Sequence, residues 1–191
     1  VMAPMTRCRE DADHVPTDLM ATYYGQRATA GLIITEGTSP SPNGLGYARI
    51  PGLFTKAQAD AWRKITSAVH AKGGHIVVQL MHTGRVSHPL NMPAGTRILS
   101  TSAVGLSGAM WTDQKQMQPY PVPSPMTDAD ICHAVGEYAA SAALAIEAGF
   151  DGVEIHGANG YLVDQFLNTA TNQRTDGWGG SIQNRARFAI E

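Results

Sequence analysis

The chain has 191 residues, of which 43% are hydrophobic and 16% charged, as in an ordinary globular domain. A formal charge of −2 gives no electrostatic basis for binding nucleic acid or an acidic membrane. No run of about 20 apolar residues is present to form a membrane-spanning helix. Cys8 and Cys132 lack metal-ligand spacing, which reads as a cytoplasmic protein with free thiols.

Val1 to Pro4 reads as a first strand. Thr17 to Ala28 reads as a helix entered after Pro16, with Thr17 as N-cap. Gly31 then frees the chain for Leu32, Ile33, Ile34 and Thr35, a β-branched second strand. Thr55 and Gln58 form a capping-box pattern ahead of Ala59, Trp62, Ile65 and Val69, whose spacing is helical. That helix is expected to end at Gly73 and Gly74. Ile76 to Met81 is the third strand. Thr127 and Asp130 open an alanine-rich helix that ends near Gly149, and Asp151 to Ile155 is the fourth strand. Tyr161 to Leu167 suits a short helical turn, and Ser181 caps a last helix.

Strands that alternate with helices imply a parallel sheet with helical crossovers. No Gly-x-Gly-x-x-Gly turn follows any strand, which argues against a doubly wound dinucleotide-binding sheet. An eight-fold barrel needs about 250 residues, so the fold class expected is an α/β, TIM (β/α)8 barrel present as its first four units. Residues 1–191 are read as the partial N-terminal half of one domain, because both ends of the chain fall inside apparent core elements. The long loops at 37–54 and 82–126 are expected to be functional or mobile.

Chemistry concentrates after the fourth strand. His156 and Asn159 stand three apart, and Tyr161 follows two further on. Two neutral donors aimed at one point can hold and polarise a carbonyl oxygen. A phenol stays protonated at neutral pH and can supply a proton. Gln79 shares strand parity with Val77 and Met81, so all three belong to one face. Glu154 shares a face with His156 and, if buried, needs a partner; a structural ion pair is expected.

Five segments carry a resemblance: Met2 to Arg7, Ile34 to Thr38, Val78 to Arg85, the His156/Asn159/Tyr161 segment with Asp164 to Leu167, and Asn172 to Ser181. Together they resemble the old yellow enzyme family, flavin-dependent ene-reductases on a TIM barrel, and look closest to the bacterial N-ethylmaleimide and nitrate-ester reductase branch. The resemblance implies FMN as cofactor and NADPH or NADH as reductant. It also implies small electrophilic alkenes or nitro compounds as substrates. By matching position, Pro4 and Met5 would lie against the flavin ring. Thr6 would bond it near O4, Gly37 would contact it through backbone, and Gln79 would bond its pyrimidine edge. His156 and Asn159 would bind the substrate's activating oxygen, and Tyr161 would be the proton donor. Tyr47 would line the substrate pocket. Met81 stands where several members carry Trp, which would reshape that pocket.

Strands five to eight of such a barrel are not in the sequence, so the isolated 191 residues are expected to bind FMN weakly and to be inactive alone. The rival reading is a metal-dependent barrel hydrolase or lyase built on His82, His88, Glu154 and His156. Against it, no His-x-His pair ends a strand, and Asn159 and Tyr161 would have no role.

Overall fold

A computed structural model describes residues Val1–Glu191. In chain order its elements are α1 (Asp18–Gly25), β1 (Ile33–Thr38), α2 (Lys56–His70), β2 (Ile76–Leu80), β3 (Leu99–Ser100), β4 (Ala109–Thr112), β5 (Gln116–Pro119), β6 (Ser124–Pro125), α3 (Asp128–Glu147), β7 (Gly152–Ile155), α4 (Leu162–Leu167) and α5 (Ile182–Ile190). Two compact units form. The first comprises Val1–Ser41, Arg49–Met81 and Glu137–Ile155; the second comprises Pro42–Ala48, His82–Gly136 and His156–Glu191.

The first unit is a parallel sheet in the order β1-β2-β7 with helices against it. Ile33, Ile76, Val78 and Leu80 turn to the helices and are buried with Tyr24, Trp62, Ile65 and Val69. Each such large side chain contributes about 1.5–3 kcal/mol when removed from water. The opposite face of β2 carries Val77 and Gln79, as period-two alternation requires.

Two helices stop by one device. In α2 the Gly73 N–H donates to His70 O and the Gly74 N–H to Val69 O. After α3 the Gly149 N–H donates to Ile146 O and the Phe150 N–H to Ala145 O. Gly73 and Gly149 both have positive φ, 73° and 85°, the left-handed position that closes a Schellman motif. The chain then turns straight into β2 and β7. At the other end of α2, Thr55 and Gln58 exchange side-chain bonds with each other's backbone N–H in a complete capping box.

Three expectations are corrected. The opening segment pairs with β1 only through an isolated bridge at Met2 and Ile33. Pro4 has no N–H to extend a ladder. The first helix is shorter than expected, and the Thr17 hydroxyl donates to Arg9 O instead of capping it. Strand β1 carries one extra residue between Ile34 and Gly37 relative to β2. This bulge admits both Thr35 and Glu36, fully buried, while Gly37 returns to register opposite Gln79.

The second unit holds a two-stranded parallel pair, β3 with β6, and an antiparallel hairpin, β4 with β5. Neither was expected from sequence. In the hairpin the Thr112 hydroxyl donates to Gln116 O and accepts from the Lys115 N–H, which closes the turn without a glycine. Helices α4 and α5 pack through Phe166 and Phe188, stacked at 4.3 Å. The Asn172–Gly180 loop is held by the Asn172 amide, which donates to Phe166 O and Trp178 O at 2.8 Å each.

Candidate functional site

In the first unit, Pro4 is half-buried while Met5 and Thr6 are exposed. The backbone after Thr6 is fixed: the Arg7 N–H donates to Glu36 Oε2 at 2.9 Å. The Tyr24 hydroxyl donates to Glu36 Oε1 at 3.1 Å and accepts from the Glu36 N–H at 2.9 Å. The bulge in β1 thus aims a carboxylate at the opening segment and anchors it. Glu10 lies buried close by. Burial, and then the neighbouring Glu36 carboxylate, push its carboxyl up to about 9, so it holds its proton at neutral pH. Burial raises Glu36 as well.

Gln79 is buried opposite Gly37. Its Nε2 donates to Glu154 Oε1 at 2.6 Å, and its backbone N–H donates to the Thr35 hydroxyl. Glu154 therefore finds a neutral amide on the next strand, not the cation expected for it. One N–H of the Gln79 amide is committed, and the amide plane is set with one N–H and the carbonyl remaining. The space that a side chain on Gly37 would need is filled by Met81, whose sulfur would lie 2.5 Å from an added Cβ. Met81 is itself buried.

In the second unit the segment after β7 turns sharply. Asn159 and Gly160 both have positive φ, 59° and 78°; asparagine tolerates that conformation better than most residues. Helix α4 holds the turn. The Gly160 N–H donates to Asp164 Oδ2, the Gln165 amide donates to Gly160 O, and the Gln165 N–H donates to Tyr161 O. The His156 and Tyr161 rings meet edge to face, with centroids 5.0 Å apart. The Tyr47 and Tyr161 hydroxyls lie 3.0 Å apart. Three of the expected residues, Tyr47, His156 and Tyr161, thus form one contiguous group, with exposed Asn159 on the same turn.

Two side chains that sequence reasoning passed over hold this group. Gln165 is fully buried. Its amide also donates to Thr83 O, and its carbonyl accepts from the Arg85 N–H and the Ser100 hydroxyl. Gly84 (φ 61°) leaves the room: a Cβ there would lie 2.2 Å from Gln165 Oε1. The Asn91 amide donates to Gly46 O and to Trp111 O, fixing the loop just before Tyr47. No local pattern marks either residue, since both act across long sequence separations.

Two nitrogens of the rival metal reading, one on His82 and one on His88, accept from backbone N–H groups. His82 is buried, its Nδ1 accepts from the Gly84 N–H, and burial holds its imidazole down to about 4. His88 Nδ1 accepts from the Leu90 N–H. No group of three or more His, Cys, Asp or Glu side chains is arranged so that it could hold a metal ion.

Comparison with known proteins gives a consistent picture. A family profile described as NADH:flavin oxidoreductase / NADH oxidase matches residues 1–191. The chain is 51% identical over 195 residues to a protein of Leishmania infantum described as a probable flavin mononucleotide-dependent alkene reductase, matching all of this chain and 53% of that protein. It is 47% identical to 12-oxophytodienoate reductase 7 of Oryza sativa subsp. japonica, across all of this chain and 49% of that one. The structure of the old yellow enzyme homologue from Zymomonas mobilis superposes with a TM-score of 0.95 at 45% identity, over 98% of this chain and 52% of that chain. The chain spans about half the length of the curated relatives it matches. Its fold class is the expected one: α/β, the first β/α units of a (β/α)8 barrel.

Proposed function

The chain belongs to the NADH:flavin oxidoreductase / NADH oxidase family, that of old yellow enzyme, and on that premise we propose that the whole protein is an FMN-dependent ene-reductase. It takes hydride equivalents from NADPH or NADH and delivers them to electron-poor double bonds, as in enones and maleimides, or to nitro and nitrate-ester compounds. The observation that carries the reading is the grouping of His156, Asn159 and Tyr161 on one turn directly after β7, with Tyr161 bonded to Tyr47.

The donor set of the first unit fits a flavin. A pyrimidine edge presents carbonyls beside an N–H. Gln79 retains one N–H and a carbonyl after its bond to Glu154, and the Thr6 hydroxyl can donate or accept. Pro4 and Met5 supply apolar surface for a ring, with Met5 45% exposed. Gly37 stands opposite Gln79 in register. When bound, the flavin supplies the hydride.

The chain's own residues do the rest. His156 and Asn159 donate to the substrate's carbonyl oxygen and draw electron density from its β-carbon; one such donor is worth on the order of 3 kcal/mol in the transition state. Tyr161 gives its proton to the α-carbon. Tyr47 lines the substrate pocket; Met81, packed beside Gly37, is a smaller side chain than a tryptophan. Free Cys8 and Cys132 accord with a reducing, cytoplasmic setting, and no helix is long and apolar enough to cross a membrane. The 191 residues alone are expected to bind FMN weakly and to lack turnover.

The test is purification of the whole protein. The reading expects a yellow protein whose released chromophore is FMN and whose anaerobic turnover of a reduced nicotinamide is sustained by an enone or nitro acceptor. A colourless protein that binds no FMN on titration contradicts it.

A further inference from the structure

Tyr47 and Tyr161 are 114 positions apart in sequence, yet their hydroxyls lie 3.0 Å apart. Their rings meet edge to face at 83°, with centroids 6.3 Å apart, and both residues are half-buried. The contact is built. Gly46 packs so tightly that an added Cβ would lie 2.4 Å from Thr83 Oγ1. Thr83 donates through both its N–H and its hydroxyl to Gly44 O, and Asn91 donates to Gly46 O. On the other side, Gln165 and Asp164 hold the turn that carries Tyr161.

One hydroxyl of such a pair donates and the other accepts. If Tyr161 donated to Tyr47, its proton would be directed away from any substrate. Only the opposite sense leaves the Tyr161 O–H free.

We propose that Tyr47 is the proton-supplying partner of Tyr161: its hydroxyl donates to Tyr161 Oη, frees the Tyr161 proton for the substrate, and restores that proton after it has been given. The proposal rests on the reading of Tyr161 as proton donor. A hydride added to the substrate's β-carbon leaves an electron pair at its α-carbon. The α-carbon forms a C–H bond as the Tyr161 O–H breaks, and a phenolate remains. An O–H bond then forms at Tyr161 as the Tyr47 O–H breaks. Water returns a proton to Tyr47, and the hydroxide so formed is taken up by the bulk buffer. Before that transfer, the Tyr47 hydroxyl stabilises the phenolate as a charge-assisted donor.

Other groups face Tyr161. His156 lies edge-on to it from its own loop. Tyr120, after β5, is raised by burial and by Tyr161. Asp164, on α4, is bonded to Gly160. All three are common to wild type and variant, so a comparison of the two isolates Tyr47.

Tyr47→Phe keeps the ring and removes the hydroxyl. In protein carrying ring-labelled tyrosine, the Tyr161 resonance, assigned by its loss in Tyr161→Phe, is expected to shift in Tyr47→Phe at one fixed pH, because its oxygen loses a donor. An unshifted resonance overturns the proposal. In the flavin-loaded protein, Tyr47→Phe should slow substrate reduction about tenfold more than it slows flavin reduction, with a larger solvent isotope effect. If Tyr161→Phe slows substrate reduction and Tyr47→Phe does not, the relay alone is overturned. If Tyr161→Phe has no effect on substrate reduction, the proton-donor reading falls and the relay with it.

Discussion

Gln79 on β2 donates a 2.6 Å bond to the carboxylate of Glu154 on β7, residues that sit directly opposite in the parallel register. A carboxylate acceptor makes this bond stronger than one between neutral groups, and it fixes which atoms the amide still presents.

Glu154→Leu is therefore expected to leave the Gln79 amide free to rotate and to weaken FMN binding by the whole protein about tenfold, equivalent to about 1.4 kcal/mol. Glu154→Gln, which retains an acceptor, should recover most of the loss. Flavin fluorescence titration of both variants measures this. Equal affinity in wild type and Glu154→Leu would show that Gln79 needs no such support.

Gln165 uses its whole amide on four backbone and hydroxyl partners. Gln165→Leu leaves buried groups unsatisfied at about 1–3 kcal/mol each, and a loss of about 3–5 kcal/mol is expected. Gly84→Ala forces a Cβ into the same amide at positive φ, and a loss of about 2–4 kcal/mol is expected. Because the two substitutions strike one contact, the double variant should lose less than the sum. Urea unfolding of the three variants tests both claims.

Glu10 gives a pH signature. Its folded pKa of about 9 lies above the ordinary value of 4.5, so the folded state holds the proton more tightly than the unfolded chain. Stability from this group is complete below about pH 4.5, falls as pH rises toward 9, and is flat beyond. Glu10→Gln is neutral throughout. Its stability relative to wild type should rise between pH 5 and pH 8 by about 4 kcal/mol, measured as denaturation midpoints across pH. A constant difference across that range would mean that Glu10 ionises normally in the fold.

Much of the frame was legible because its signals are local. Thr55 with Gln58 marked the start of α2, and Gly73 and Gly149 marked where helices give way to strands. The His156, Asn159 and Tyr161 spacing pointed to one turn, and the chain places them on one. What escaped is non-local. The bulge at Thr35 and Glu36 exists to satisfy Tyr24 and the Arg7 backbone, contacts that a strand pattern does not encode. The β4–β5 hairpin has no glycine in its turn and few β-branched residues in its strands. The partner of Glu154 was expected to be a cation because a carboxylate calls for charge; its strand register supplies an amide instead.

The central claim is that the turn after β7 protonates a substrate reduced through flavin, and separation of the two half-reactions in the whole protein tests it most directly. In Tyr161→Phe, reduction of bound FMN by NADPH or NADH should keep the wild-type rate within about twofold. Its reoxidation by an α,β-unsaturated ketone should slow by about 10²–10⁴, the usual contribution of a positioned general acid. Equal slowing of both half-reactions, or of neither, would contradict the account.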